Sequence, residues 1–336
     1  MKRTPALFLF PLVVIAQEAT PLFTASTNSV LVDVAVATDQ RPAPELQRED
    51  FILLDNGEPR PIAGIAHDEL PLDIGLVCQS PLRSSTVYAN RDDVIGAYSP
   101  DVWGISQRLM DAAGDAVFGL RAGDRVAIVS YGRDPHIALR FTDNRKAIAA
   151  GIKALGNPEN SDENIVLSSE ALAVEYAVRM LADVERDDAA ARTGRRRLII
   201  MISNVFGAGT RYADEPVIRR LWDQNIVFSV IDDAPPSRGT TTVQRAGGGD
   251  SQTVLFQRYN PIHIAQATGG DRIVALETQH LGDILTPIRQ RYTLWFNQPS
   301  DVASGESRSI KVDLSDAARR RLPRAVVRAR KGYVAR

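Results

Sequence analysis

The sequence predicts an α/β protein built on a doubly wound, mostly parallel sheet, with β segments flanking it at both ends. Three observations carry this prediction. Leu72 to Cys78, Arg125 to Tyr131, Leu198 to Ser203 and Ile226 to Ile231 are nearly continuous Val, Ile and Leu runs, as parallel strands covered on both faces require. Amphipathic helical patterns lie between these runs, and the alternation implies helices on both sides of one sheet. Residues 28–68 and 291–334 instead show the patterns of extended chain.

The chain opens with MKRTPALFLFPLVVIAQ, in which Lys2 and Arg3 precede an apolar run from Ala6 to Ile15. Val14 and Ala16 stand where a signal peptidase reads small residues, so residues 1–16 are expected to be a secretory signal cleaved near Ala16. A short membrane anchor is the alternative, but about ten apolar residues fall short of the roughly 20 that span a bilayer. No cysteine stands directly after the cleavage position, so a lipid-anchored terminus is not expected. The expected location is secreted or periplasmic, with no transmembrane segment after cleavage.

Without Lys2 and Arg3 the chain carries 38 basic against 41 acidic residues, which gives nucleic acid no general attraction. Cys78 is the only cysteine, so no intrachain disulfide can form and the core must supply the stability. With 336 residues and 44% apolar side chains the chain is long enough to do so.

After the signal, NSVLVDVAVATD places Val30, Val32, Val34 and Val36 on alternate positions of a strand. The pair Asn56-Gly57 marks a tight turn between two extended stretches. From Pro71 the α/β alternation begins, and its first helix aligns Val102, Ile105, Leu109, Ala113, Ala116 and Leu120 on one face. HIALRFT, residues 136–142, follows the second strand after only GRDP, too short a link for a crossover helix, so it reads as an antiparallel edge strand. Asp143 is expected to cap a helix carrying Ile148, Ile152 and Leu155. The stretch 235–252 lacks periodicity and contains Gly247, Gly248 and Gly249, so it reads as a loop. Asn260 and Pro261 open a helix that Gly269 and Gly270 close. Beyond Gln290 the chain reads as three further strands. The expected organisation is an N-terminal β segment (28–68), an α/β domain (70–290) and a C-terminal β segment (291–334). The two β segments would pack into one β-sandwich with the α/β domain inserted between them, because each alone leaves an apolar face and unpaired edges.

Seven stretches in this order, PLDIGLV, LRAGDRVAIVSYG, LRFTDNRKAIAAGIKAL, RRRLIIMISN, QNIVFSVI, IAQATGGDRI and VRARKGY, resemble the secreted bacterial von Willebrand factor A-related family of the acidobacterial type. The resemblance spans about residues 28–334, and AGDRVAIVSY and ATGG are its most specific pieces. It implies a von Willebrand A domain with a metal-ion-dependent adhesion site at the carboxyl ends of the parallel strands. Open α/β sheets bind ligands at that edge on physical grounds as well.

Such a site takes an Asp-x-Ser-x-Ser loop after the first strand, a Thr from a second loop and an Asp after the fourth strand. Magnesium demands hard oxygen ligands, and carboxylates offset its dehydration. In this chain Gln79 stands at the Asp position, and Pro81 and Arg83 stand at the two Ser positions. Val166 falls at the Thr position, with Ser168 and Ser169 close by and the register open by a residue or two. Asn204 replaces the final Asp and contributes a neutral oxygen at most. The guanidinium of Arg83 opposes a cation. The resemblance therefore implies a degenerate, metal-free adhesion site and no cofactor. A rebuilt site would have to use Asp92, Asp93 or Asp101 from the insertion VYANRDDVIGAYSPD.

Other features weigh less. Cys78 reads as a small buried residue, and His67, His136, His263 and His280 lie outside the expected strand-end crevice, so no catalytic site is expected. Asp232 and Asp233 end the fifth strand as either ligand contacts or turn residues. The tail from Ala317 to Arg336 carries eight basic residues and no acid, which fits either an anionic surface or glycan, or a strand with one solvated basic face. No nucleotide, serine-hydrolase or zinc-protease motif occurs. The expected function is recognition of a protein partner, or adhesion, through Gln79, Ser80, Arg83, Ser84, Ser85 and Asn204. A structural scaffold acting through other faces and a metal-dependent adhesin with a rebuilt site are the alternatives.

Overall fold

The computed structural model describes residues 29–39, 41–43, 45–67, 70–79, 86–90, 93–97, 119–131, 134–155, 165–166, 168–187, 194–202, 214–232, 242–245, 252–253, 261–274 and 282–336. Its first strand follows the alternation of its sequence: β1 (Ser29–Thr38) buries Val30, Val32, Val34 and Val36. The short β2 (Arg41–Pro42) folds back on it. β3 (Phe51–Asp55) and β4 (Glu58–Arg60) make a hairpin with Asn56 at φ 50 and Gly57 at φ 85. Two successive left-handed residues are what a type I′ turn needs, and Asn-Gly adopts them at least cost. β5 (Gly64–Ala66) then leads into the α/β unit.

That unit begins with β6 (Leu72–Gln79), β7 (Thr86–Asn90), β8 (Asp93–Ala97), β9 (Arg125–Tyr131) and β10 (His136–Thr142). It continues with α1 (Arg145–Leu155), β11 (Ile165–Val166), α2 (Ser168–Asp187), β12 (Arg196–Ile202) and α3 (Asp214–Asp223). β13 (Ile226–Asp232), β14 (Thr242–Arg245), β15 (Gln252–Thr253), α4 (Pro261–Thr268), β16 (Arg272–Val274) and α5 (Gly282–Arg289) complete it.

Six of these strands form one sheet in the order β10-β9-β6-β12-β13-β16, in which every pairing is parallel except that of β10 with β9. Burial on both faces explains the apolar runs. Leu72, Ile74, Leu76 and Cys78 pack on one face with Ile148 and Ile152 of α1 and Leu285 and Ile288 of α5. Val77, Val129 and Tyr131 pack on the other with Val174 and Leu181 of α2, Leu221 of α3 and Ile264 of α4. Of the first expected helix face, Leu120 is buried in this core, while Val102, Ile105, Leu109, Ala113 and Ala116 lie outside the described residues.

Two local expectations are corrected. Asn144, not Asp143, caps α1: its Oδ1 accepts from the amides of Lys146 at 3.0 Å and Ala147 at 3.2 Å. The stretch read as a loop contains β14, which pairs with β8 and with β15, so its order comes from neighbours rather than from its own periodicity.

The chain ends in β17 (Tyr292–Asn297), β18 (Ser307–Leu314), α6 (Asp316–Arg321), β19 (Val326–Ala329) and β20 (Gly332–Val334). Two differences stand against the three expected strands: the last of them is split into β19 and β20, which lie in different sheets, and α6 is added, with Ser315 capping it by accepting from the Ala318 amide at 3.3 Å. One sheet runs β19-β1-β17-β5 with β2 on β1, and a second runs β20-β18-β3-β4. Both therefore draw strands from both ends of the chain. Val32, Leu294 and Phe296 from the first sheet share a core with Leu53, Ile310 and Tyr333 from the second.

The basic tail is largely solvent-exposed at Arg320, Arg321, Arg324, Arg328, Lys331 and Arg336, with Arg328 on the exposed face of β19. Arg319, Arg321 and Arg328 also pair with Asp313, Asp50 and Asp271, while Arg330 is buried and bonded to backbone carbonyls. The run has no acid of its own because its partners lie elsewhere in the sequence.

Candidate functional site at the strand ends

The order of the six-stranded sheet reverses between β6 and β12: the chain moves outward from β6 to β9 and β10 on one side, and from β12 to β13 on the other. A doubly wound sheet leaves its crevice at such a reversal, beyond the carboxyl ends of the strands. Cys78 faces Ile202 in register and Gln79 faces Tyr131, so β6, β9 and β12 end at one level. Gln79 is the last residue of β6. Ser80, Arg83, Ser84, Ser85 and Asn204 lie outside the described residues, as do Pro81, Asp92, Asp101, Asp233 and His280.

Segments leaving these strand ends meet in a second, smaller sheet of order β11-β7-β8-β14-β15. β7 and β8 belong to the insertion that follows β6, β11 precedes α2, and β14 and β15 follow β13. Ile165 pairs in parallel with Val87 and Val166 with Tyr88. Val166, expected near the Thr position with the register open by a residue or two, is thus part of a strand ladder. Asp93, one of the acids of a conceivable rebuilt site, is placed opposite Arg245 in the β8–β14 register. Among the described residues no three His, Cys, Asp or Glu side chains come together.

The acids that begin the parallel strands sit at the opposite end of the sheet. Asp73, at the start of β6, accepts two hydrogen bonds from Arg125 and one from Arg195, each at 2.8 Å. Asp124, just before β9, accepts from the Leu72 amide at 2.8 Å and is gripped by Arg289. Burial pushes the Asp124 carboxyl up, but Arg289 and the amides of Arg121 and Leu72 outweigh it and hold the group below the usual carboxylate range.

Cys78 is fully buried, and burial pushes its thiol up to about 12, so no thiolate forms at neutral pH. Three histidines are described. His67 lies beside Gln290 at the base of the α/β unit, and His136 is exposed on the edge strand β10. His263 gains a partner that the sequence did not signal. It stands in the first turn of α4, with Nδ1 2.9 Å from Oδ2 of Asp214, which opens α3. Both helices begin on the strand-end side, because α3 follows β12 and α4 follows β13. The two residues are 49 apart with no linking motif, so only the fold brings them together.

No protein-family model matches the chain, and a search of curated proteins returns no match. Solved structures do align with it. An aerotolerance-related membrane protein from Bacteroides fragilis is 14% identical, covering 65% of this chain and 98% of that chain, with a TM-score of 0.40. The manganese-loaded TRAP protein of Plasmodium vivax is 12% identical, covering 79% and 98%, with a TM-score of 0.41. The vWF domain of the type V pili tip protein Mfa5 from Porphyromonas gingivalis is 17% identical, covering 43% and 41%, with a TM-score of 0.28. Likenesses of this size carry no argument about activity.

Proposed function

We propose that the chain is an exported recognition or adhesion module of the von Willebrand A type that binds a protein partner without a metal ion. The single observation that carries this reading is the meeting of the strand-end segments in one small sheet at the reversal of a doubly wound fold. Loops leaving that edge are where such a fold exposes variable chemistry. Here they are tied to one another by backbone pairing instead of converging on a cation.

The recognition face comprises Gln79, Ser80, Arg83, Ser84, Ser85 and Asn204. A guanidinium among hydroxyls and amides holds a partner's carboxylate directly, with two parallel hydrogen bonds, where the related fold uses a bridging cation. Residues 1–16 direct export, residues 28–68 and 291–334 form the supporting β domain, and residues 70–290 form the recognition domain. Enzymatic activity is not part of this reading, since the one thiol is buried and the chain holds no hydrolase or nucleotide motif.

Photo-crosslinking in the native cell envelope tests it, with the reactive residue placed either at Arg83 or at Ile52, which is 42% exposed on the outer face of the two-sheet unit. Adducts formed from position 83 that persist in chelator are expected. Adducts formed only from position 52 would replace this reading with a scaffold role. Adducts from position 83 that vanish in chelator would replace it with a metal-dependent adhesin.

A further inference from the structure

Two units of one chain move relative to each other by default, because most such interfaces are modest and wet. The junction between the six-stranded α/β unit and the two-sheet unit departs from that in three ways.

First, the connections are paired. β5 and β17, which lead into and out of the α/β unit, are antiparallel neighbours with Ala66 opposite Thr293 and Ile65 opposite Leu294. Just beyond them His67 Nε2 lies 3.1 Å from the Gln290 carbonyl, and its ring stacks on Tyr292 at 4.2 Å. A swivel about either connection breaks this ladder.

Second, a buried arginine ties the base of the sheet to both units. Arg196 opens β12 with its side chain 1% exposed. It donates to the carbonyls of Ile288 at 2.8 Å, Arg289 at 3.0 Å and Arg291 at 3.1 Å, and to Thr293 Oγ1 at 3.3 Å. Its Nε lies 3.3 Å from Asp33 of β1, which also accepts from Thr293 at 3.0 Å. One guanidinium thus spans the end of α5, β17 and β1.

Third, a separate contact lies along α3 and α4. Buried Arg330 donates to the Trp222 carbonyl at 2.9 Å on one side and to the Leu31 carbonyl at 2.6 Å on the other. Trp222 Nε1 and the Lys331 amide both donate to Ala267, at 3.0 Å and 2.8 Å. Arg336 reaches the Asp223 carbonyl at 2.8 Å. Motion that opened either contact would strip a buried guanidinium of part of its hydrogen bonds, which is costly in a protein interior.

A hinge needs a few residues that absorb rotation, and here two distinct contact regions plus a paired connection oppose it. We propose that this junction is a rigid coupling held by Arg196 and Arg330, so that the two units move and unfold as one body. A partner's pull on the strand ends is then delivered directly to β1 and β17. That last consequence rests on the recognition reading, whereas the coupling itself does not.

Native-state hydrogen exchange and calorimetry of the full mature chain test the coupling without any partner. The amides of Ile74 and Leu76 in β6 and of Val32 and Val34 in β1 are expected to exchange through one opening with a common denaturant dependence, and the chain to melt in a single two-state transition. Arg330→Met and Arg196→Met are expected to split that transition in two. Separate openings for β1 and β6 in the parent chain overturn the proposal even if neither variant folds. A common opening in the parent that both variants retain, with one transition each, removes the two arginines from the role.

Discussion

Arg289 grips Asp124 with both terminal nitrogens, and so fastens the last turn of α5 to the residue just before β9. Both side chains are almost wholly buried, with 3% and 0% exposure. The pair therefore acts in a medium where losing one partner leaves a charge that nothing solvates.

Asp124→Asn should destabilise the protein by about 3–5 kcal/mol in urea unfolding, the usual result of breaking a buried pair from one side. The same group predicts an acid limb. Its folded pKa is held below the unfolded value of about 3.9, so its contribution is full above that value and is lost as the pH falls toward the folded pKa. Parent stability should fall through that window more steeply than that of the Asn variant, and equal acid limbs would remove Asp124 from this role.

Arg291 predicts the opposite sign. Its side chain is 1% exposed, its Nε and Nη1 have no hydrogen-bond partner among the described residues, and its nearest acid, Asp271, is 3.9 Å away. Burial pushes its guanidinium down, and Asp271 already has Arg328 at 2.7 Å. An apolar side chain of similar length removes the desolvation cost and keeps the backbone carbonyl that Arg196 uses. Arg291→Met should stabilise by about 1–2 kcal/mol. A loss of that size in the same urea measurement would show that the charge is satisfied after all.

Gly269 has φ +79, and a Cβ there would stand 2.7 Å from the Ala329 carbonyl carbon and 2.8 Å from the Arg330 nitrogen. Gly269→Ala should cost about 1–3 kcal/mol from the left-handed backbone alone, with the clash adding to it. The extra strain falls on the contact between α4 and β19. Under a rigid coupling the amides of β19, β20 and β6 should therefore lose exchange protection together, and loss confined to β19 and β20 would point to a purely local effect.

These cases mark how far the sequence carries. The parallel strands were legible because burial on both faces leaves a continuous apolar run, as in Leu72 to Cys78. The Asn56-Gly57 turn and the helix from Pro261 were legible because turn and cap chemistry is local. β14 was not, since its pairing with β8 lies in distant residues. Arg330 was hidden for the same reason: it bonds Leu31, 299 positions away, and nothing near it in the chain signals that partner. The Asp214–His263 pair has no motif, and the candidate residues after Gln79 lie beyond the described part of the strand-end face.

Cys78 offers a probe of the core. With no exposed surface and a thiol pushed up to about 12, it should resist a thiol reagent at pH 8 in native protein and react at once in denaturant. Its native rate should follow the opening of the six-stranded sheet, and therefore rise in Asp124→Asn. Fast labelling of the folded parent would mean that the end of β6 is accessible.

Divalent cations test the site itself. On the proposed metal-free reading, Gln79 and Asn204 stand at positions where a cation site would need carboxylates, with Arg83 beside them, and Val166 is engaged in a ladder with Tyr88. Magnesium, manganese or calcium at millimolar concentration should leave the melting temperature of the mature protein unchanged. An ion that binds only the native state at 100 times its Kd adds about 2.7 kcal/mol. At about 2–4 °C per kcal/mol that shift is easily seen. A rise abolished by replacing Asp92, Asp93 and Asp101 together would show that the insertion rebuilds a cation site, and the direct grip of Arg83 on a partner carboxylate would have to be given up.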